Sequence, residues 1–198
     1  MALTGLIGGT FNPVHYGHLI IAQEVKETLK LDRVIFIPNG IPPHKEIHMQ
    51  NTETRLELLK LAVSDNPMFG VSDLEMKRQD KSYTVDTVAE LKIQIPNDKF
   101  VFIAGIDAFV NYEWFKFEEL LELLDCFVVV CRPGLNLDSF NAKLNTIKNQ
   151  AKIKYLQVPL IEISSTDIRK RVAEGRSIRY MLPGRLERYI LENRLYRS

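Results

Sequence analysis

The chain has 198 residues, enough for one domain with a sizeable core. Apolar residues make up 45% and charged residues 26%, ordinary proportions for a soluble globular protein. Basic and acidic residues nearly cancel, 26 against 25, and a formal charge of +1 excludes the basic excess of a protein that wraps nucleic acid. The N-terminus carries no basic segment followed by a long apolar stretch, and no run reaches membrane-spanning length. A cytoplasmic protein with neither nucleic acid nor membrane as partner is therefore expected.

Leu3, Leu6 and Ile7 make a short apolar run that stops at Gly8-Gly9-Thr10-Phe11-Asn12-Pro13-Val14-His15-Tyr16-Gly17-His18 and leads into a helical pattern from Leu19 to Leu29. A strand that ends on glycine, turns and starts a helix is a phosphate-binding design. Glycine lets the backbone approach an anion, and the helix start offers unpaired N–H groups with partial positive charge. His15 and His18 are three apart, so on a first helical turn they share a face and present two ring N–H donors to a polyphosphate. A tight turn flanked by half-buried surface histidines is the plainer reading; it explains each feature singly but not their occurrence together.

Val34 to Ile37 reads as a buried strand ended by Pro38-Asn39-Gly40. In the following loop, Pro42-Pro43-His44-Lys45 fixes a turn and leaves Lys45 without an evident acidic partner, as consistent with a solvated lysine as with a phosphate ligand. His44 and His48 have helical metal-ligand spacing, but the prolines before them argue against a helix, so no metal pair is expected there. Thr54 to Ser64 is a helix with Leu56, Leu59, Ala62 and Val63 inward, and Phe69 to Leu74 a strand. Thr84 to Ile95 follows as a helix with Val85, Val88, Ala89 and Leu91 inward. Its start, Ser82-Tyr83-Thr84, is a helix cap whose backbone N–H groups could also hold a carboxylate.

Phe100 to Ala104 is a fully buried strand broken by Gly105, in Gly105-Ile106-Asp107. Trp114, the single tryptophan, lies among Tyr112, Phe115 and Phe117, which makes it a core aromatic or a face that stacks on a pyridinium ring. Phe117 to Leu124 is a helix and Phe127 to Cys131 another buried strand. Cys126 and Cys131, five apart, would point to opposite faces, as core thiols rather than a disulfide. Leu137 to Lys148 is a helix and Ile153 to Val158 the last strand. Ile163-Ser164-Ser165-Thr166-Asp167-Ile168-Arg169 opens a helix that Gly175 ends; its hydroxyls are caps, or with Arg169 a second anion site. A final helix runs from Pro183 to Glu192, with proline in its first turn.

Apolar strands separated by helices predict an α/β fold, a doubly wound Rossmann-like parallel sheet with a C-terminal helical segment. All 198 residues are expected to form one domain, residues 161–198 being its helical part. Ligands should bind outside the carboxyl ends of the strands, beside Gly8 and Gly105.

These strings resemble the nucleotidyltransferase superfamily with the H-x-G-H signature. Gly8 to His18, Ser82 to Thr87, Gly105-x-Asp107 with Trp114, and Ile163 to Arg169 together are most similar to the bacterial nicotinate-mononucleotide adenylyltransferases. The resemblance implies transfer of the adenylyl group of ATP to nicotinate mononucleotide, giving nicotinate adenine dinucleotide and pyrophosphate in NAD biosynthesis. It gives His15 and His18 catalytic roles on the ATP phosphates. It assigns ATP binding also to Gly8, Gly9, Thr10, Phe11, Lys45, Ser164, Ser165, Thr166 and Arg169. The mononucleotide falls to Asn12, Tyr83, Thr84, Gly105, Asp107, Trp114 and Arg132. Mg²⁺ is expected to arrive with ATP rather than in a protein site. A homo-oligomer is left open.

Two positions depart from the family pattern. Asn12 replaces the usual aspartate, and Ile106 is bulkier than the small residue common there. The alternatives are a pantetheine-phosphate or cytidylyl transferase, which would lack Ser82-Tyr83-Thr84 with Trp114, and a non-catalytic nucleotide sensor. A fragment of a class I aminoacyl-tRNA synthetase would need a Lys-Met-Ser-Lys-Ser-like loop that the chain does not contain.

Overall fold

The computed structural model describes residues 1–40, 52–78, 80–131, 133–134, 136–159 and 161–197. Lys45, with His44 and His48, and Arg132 lie outside the described residues. Six strands form one parallel sheet: β1 (Leu3–Gly9), β2 (Arg33–Pro38), β3 (Phe69–Val71), β4 (Lys99–Gly105), β5 (Cys126–Cys131) and β6 (Ile153–Gln157). Their order is β3-β2-β1-β4-β5-β6, so chain order reverses between β1 and β4. That is the point at which such sheets open a crevice beyond the strand ends.

The central strands are apolar because both sheet faces are covered. All six residues of β5, Cys-Phe-Val-Val-Val-Cys, are buried. Alternate side chains enter different cores: Cys126, Val128 and Val130 one, Phe127, Val129 and Cys131 the other. Both thiols are free. The first core is closed by α1 (Tyr16–Thr28), α2 (Thr52–Val63), α7 (Ser165–Ala173) and α8 (Gly184–Glu192). The second is closed by α3 (Thr84–Gln94), α4 (Ile106–Asn111), α5 (Phe117–Leu123) and α6 (Asp138–Leu144). Burying each valine or phenylalanine contributes about 1.5–3 kcal/mol, and these two layers hold the fold.

The structure corrects several boundaries. α1 begins three residues before Leu19. β3 ends at Val71, because the Ser72 N–H completes the pairing to the Phe36 carbonyl and a 3₁₀ turn, Glu75–Lys77, follows. α2 turns Leu58 inward with Leu59, Ala62 and Val63, and places Arg55 on the same stripe instead of Leu56. In α3, Thr87 rather than Ala89 is buried beside Val85, Val88 and Leu91. α6 stops at Leu144, where the Thr146 hydroxyl takes the Lys143 carbonyl, and Gln150–Lys152 form a 3₁₀ turn. Pro183 caps α8 from just outside it.

Candidate active site

β1 ends on Gly9 and hands the chain to a loop, Thr10 to Val14, that is gripped from behind. The Thr10 carbonyl accepts from Arg55 Nη1 at 2.9 Å, the Asn12 carbonyl from Arg169 Nη1 at 2.7 Å, and the Pro13 carbonyl from Ser165 Oγ at 2.8 Å. Arg55 also donates through Nη2 to the Asn39 carbonyl at 2.8 Å, tying the end of β2 to the end of β1. It is fully buried, and that burial lowers its pKa. The Asn12 side chain accepts at Oδ1 from the Tyr196 hydroxyl at 2.9 Å. Phe11 takes a left-handed backbone, φ 46°, which carries its ring into the core and edge-on to His18 at 5.0 Å.

His15 is the N-cap of α1, and its N–H donates to His18 Nδ1 at 3.3 Å. Nδ1 of His18 is thus an acceptor, which leaves the ring proton on Nε2. The two rings lie 3.9 Å apart. Gly17 is small for a definite reason: a Cβ there would stand 3.0 Å from Cε1 and Nδ1 of His15. Burial pulls the His15 pKa down to about 4. Burial, and then the charge of His15, hold His18 well below the usual histidine range. Both imidazoles are neutral at pH 7.

His18 lines a cavity of about 430 Å³ at the carboxyl ends of β1 and β4. Gly8, Gly9 and Thr10 at the end of β1 line it side by side with Phe102 to Gly105 of the adjacent β4, and Ser82, Tyr83 and Thr84 at the start of α3, with Tyr112 to Phe115, complete the lining. There Trp114 stands edge-on to Phe127 at 5.1 Å and to Phe102 at 5.7 Å, and the Tyr83 ring lies 4.4 Å from that of Phe115. Trp114 is thus supported by the second core while facing the cavity. Lys143 on α6 donates to the Val110 and Tyr112 carbonyls at 3.2 and 2.6 Å, fastening the end of α4 and the aromatic segment after it.

Buried Glu75 also borders the cavity, and its carboxylate accepts from Thr87 Oγ1 at 2.8 Å. Burial raises its pKa, against the Thr87 hydrogen bond and the Arg78 charge. Its carbonyl comes so near residue 40 that a Cβ on Gly40 would stand at 2.2 Å.

One cavity therefore gathers Gly8, Gly9, Thr10, His18, Tyr83, Thr84, Gly105 and Trp114. Phe11 and Asn12 belong to the loop itself, Ser165 and Arg169 brace it, and His15 caps the helix that follows; none of the five lines the cavity, although His15 was expected to face the phosphates. Ser164 caps α7, accepting from the Asp167 N–H at 3.1 Å, and Thr166 accepts from Arg169 Nη2 at 3.3 Å. Asp107 sits exposed in the first turn of α4 and does not line the cavity. Three buried side-chain polar atoms among the described residues lack a partner: His15 Nδ1, Arg55 Nε and Trp114 Nε1. Of the three residues, only Trp114 lines the cavity.

Sequence reasoning gave no role to Arg55, Glu75, Lys143 or Tyr196. Arg55 left a trace, since residues 55, 58, 59, 62 and 63 form one helical stripe and a charge on it must be paired. Tyr196 was marked only by the resemblance, and the contacts of Lys143 and Tyr196 could not be read, because their partners are 31 and 184 residues distant. Among the described residues, no group of three His, Cys, Asp or Glu could hold a metal ion. No helix among them is long and apolar enough to cross a membrane.

The cytidylyltransferase-like family model matches residues 6–171. A chain from Exiguobacterium sibiricum named "Probable nicotinate-nucleotide adenylyltransferase" is 45% identical over 193 residues, covering 97% of each chain. One of the same name from Caldicellulosiruptor saccharolyticus is 40% identical, covering 98% of each. Among solved structures, the Plasmodium falciparum nicotinic acid mononucleotide adenylyltransferase complexed with NaAD superposes with a TM-score of 0.80 at 19% identity, over 99% of this chain and 98% of that one. At that identity the superposition speaks for the fold. Matches of this length and identity settle the family: the chain belongs to the cytidylyltransferase-like nucleotidyltransferases, among the nicotinate-nucleotide adenylyltransferases.

Proposed function

We propose that this chain transfers the adenylyl group of ATP to nicotinate mononucleotide, releasing pyrophosphate and forming nicotinate adenine dinucleotide for NAD biosynthesis. The observation that carries this reading is the cavity itself. Its lining brings together a glycine loop, a neutral imidazole donor and an aromatic wall beside a helix start. An adenylyl donor and a pyridine nucleotide would meet there.

In the reaction a phosphate oxygen of the mononucleotide bonds to the α-phosphorus of ATP while the bond to the β-phosphate oxygen breaks. The nucleophile is already anionic, so no general base is needed; the protein supplies alignment and neutralises charge on the leaving pyrophosphate. His18 donates through Nε2–H to the reacting phosphate, with His15 as its neighbour. The amino ends of α1 and α7, with Arg169 and Lys45, take the remaining phosphate charge. Mg²⁺ belongs to this reading as counter-charge carried by ATP. The described residues offer it no converging ligand set, and of the carboxylates on the cavity wall Glu75 is engaged by Thr87. Two free buried thiols suit a reducing compartment and a cytoplasmic enzyme.

Beside the aromatic wall, N–H groups at the start of α3 can only donate. Both oxygens of a carboxylate suit them, whereas a carboxamide presents its NH₂ badly. That mismatch costs on the order of 1–3 kcal/mol, so kcat/KM should favour nicotinate over nicotinamide mononucleotide by roughly tenfold to a hundredfold. Pyrophosphate release followed with ATP and a panel of mononucleotides tests the whole reading. Turnover of phosphopantetheine instead would replace it, and equal rates on acid and amide would remove the N–H donors from the account.

A further inference from the structure

We propose that Tyr196 is a positioning residue for the phosphate loop, acting through Asn12. The proposal rests on the adenylyl-transfer reading for its substrate, ATP. Residue 12 is held twice. Its carbonyl accepts from Arg169, and its side chain accepts from Tyr196 at 2.9 Å across 184 residues of sequence. Asn12 is 2% exposed, so Oδ1 would have no water to replace a lost partner.

A carboxamide has two unlike ends. With Oδ1 committed to the phenol, its acceptor end is anchored and Nδ2 is kept away from the hydroxyl. Burial raises the Tyr196 pKa against the nearby charges of Arg169 and Arg55, so the hydroxyl keeps its proton and remains a donor. Leu195 and Tyr196 return onto the first core after α8 through left-handed residues at Arg194 and Tyr196, with the Leu195 N–H on the Ile190 carbonyl. The segment after α8 thereby reaches a loop that begins at the cavity wall with Thr10 and ends at the His15 cap. Asn12 lies midway between those two points.

Tyr196→Phe removes one oxygen and leaves the ring in its packing. It should raise the KM for ATP about tenfold while kcat changes less than threefold and the melting temperature stays within a few degrees. Asn12→Ala should do the same, and the double variant should be no worse than either single one, because both remove one contact. A merely structural tyrosine would act differently: partial unfolding lowers the active fraction, and so kcat, at unchanged KM. A Tyr196→Phe chain with wild-type KM, one that no longer folds, or losses that multiply in the double variant would each overturn the proposal. ATP affinity measured by calorimetry on the same four chains keeps the test separate from the function. Absence of wild-type turnover would sink the adenylyl-transfer reading, while the calorimetric cycle would still judge the contact.

Discussion

An imidazole that is to donate to a departing phosphate must hold its remaining proton on the correct nitrogen. In His18 the His15 backbone N–H occupies Nδ1, and burial keeps the ring neutral, so Nε2–H is the group left to face the cavity. His18→Ala should cut kcat by about a hundredfold or more, the scale of losing one oriented donor, and should leave a folded protein. A folded variant with near-normal kcat would remove His18 from the reaction. Gly17→Ala asks a finer question. Its Cβ would press on the His15 ring from 3.0 Å, so kcat should fall although no polar group has changed. That His15 and His18 pair was legible, because they are three residues apart at one helix start, but that His15 turns inward and leaves only His18 of the pair on the cavity was not. Arg55 was half legible, as a charge on an apolar stripe. Tyr196 was not, because nothing local distinguishes a tyrosine that packs from one that also donates.

Elements tell a similar story. Long periodic segments, such as α1 and α3, and continuous apolar strands, such as β4 and β5, follow from local pattern. α4 does not: six residues between β4 and the aromatic segment are too few to show a helical period. Its position depends on a distant residue, Lys143, whose ammonium binds carbonyls at the end of α4 and just beyond. Lys143→Met keeps the stem and removes those donors. It should loosen the Tyr112 to Phe115 segment and raise the KM for the mononucleotide about fivefold, with the KM for ATP unchanged, the effect of losing a charged hydrogen bond at one remove from the ligand. Equal increases for both substrates would show that the clamp steadies the whole cavity. The start of α7 adds a third use to a string read as caps or an anion site. Ser164 is the cap, while Ser165 and Arg169, on the same turns, reach the loop after β1.

At the scale of the molecule, the buried histidines tie stability to pH. An unfolded chain takes up protons near pH 6.5, whereas folded His15 resists them until about pH 4. More protons bind to the unfolded state in that window, so stability falls as pH drops through it, by up to about 3 kcal/mol from His15. His18 adds to the loss. Asp98, whose burial raises its pKa but whose bonds to Thr4 and Arg33 lower it further, adds another loss below the usual carboxylate range. Glu75 acts in the opposite direction, since its raised pKa favours the folded state as acid protonates it. Denaturant midpoints should therefore fall from pH 7.5 to pH 5, and fall less in His15→Gln. A flat profile would mean that the histidines are not held neutral. The sheet also has a consequence for descent. The loop that would take ATP is braced by α2, α7 and the segment after α8, on one face; the aromatic end rests on α3 to α6, on the other. On the proposed reading, donor and acceptor specificity would rest on separate layers of one scaffold. A library confined to Tyr83, Tyr112 and Phe115 should yield chains that accept altered pyridines while their ATP affinity stays at the parental value, so that one half of the molecule can diverge while the other is conserved.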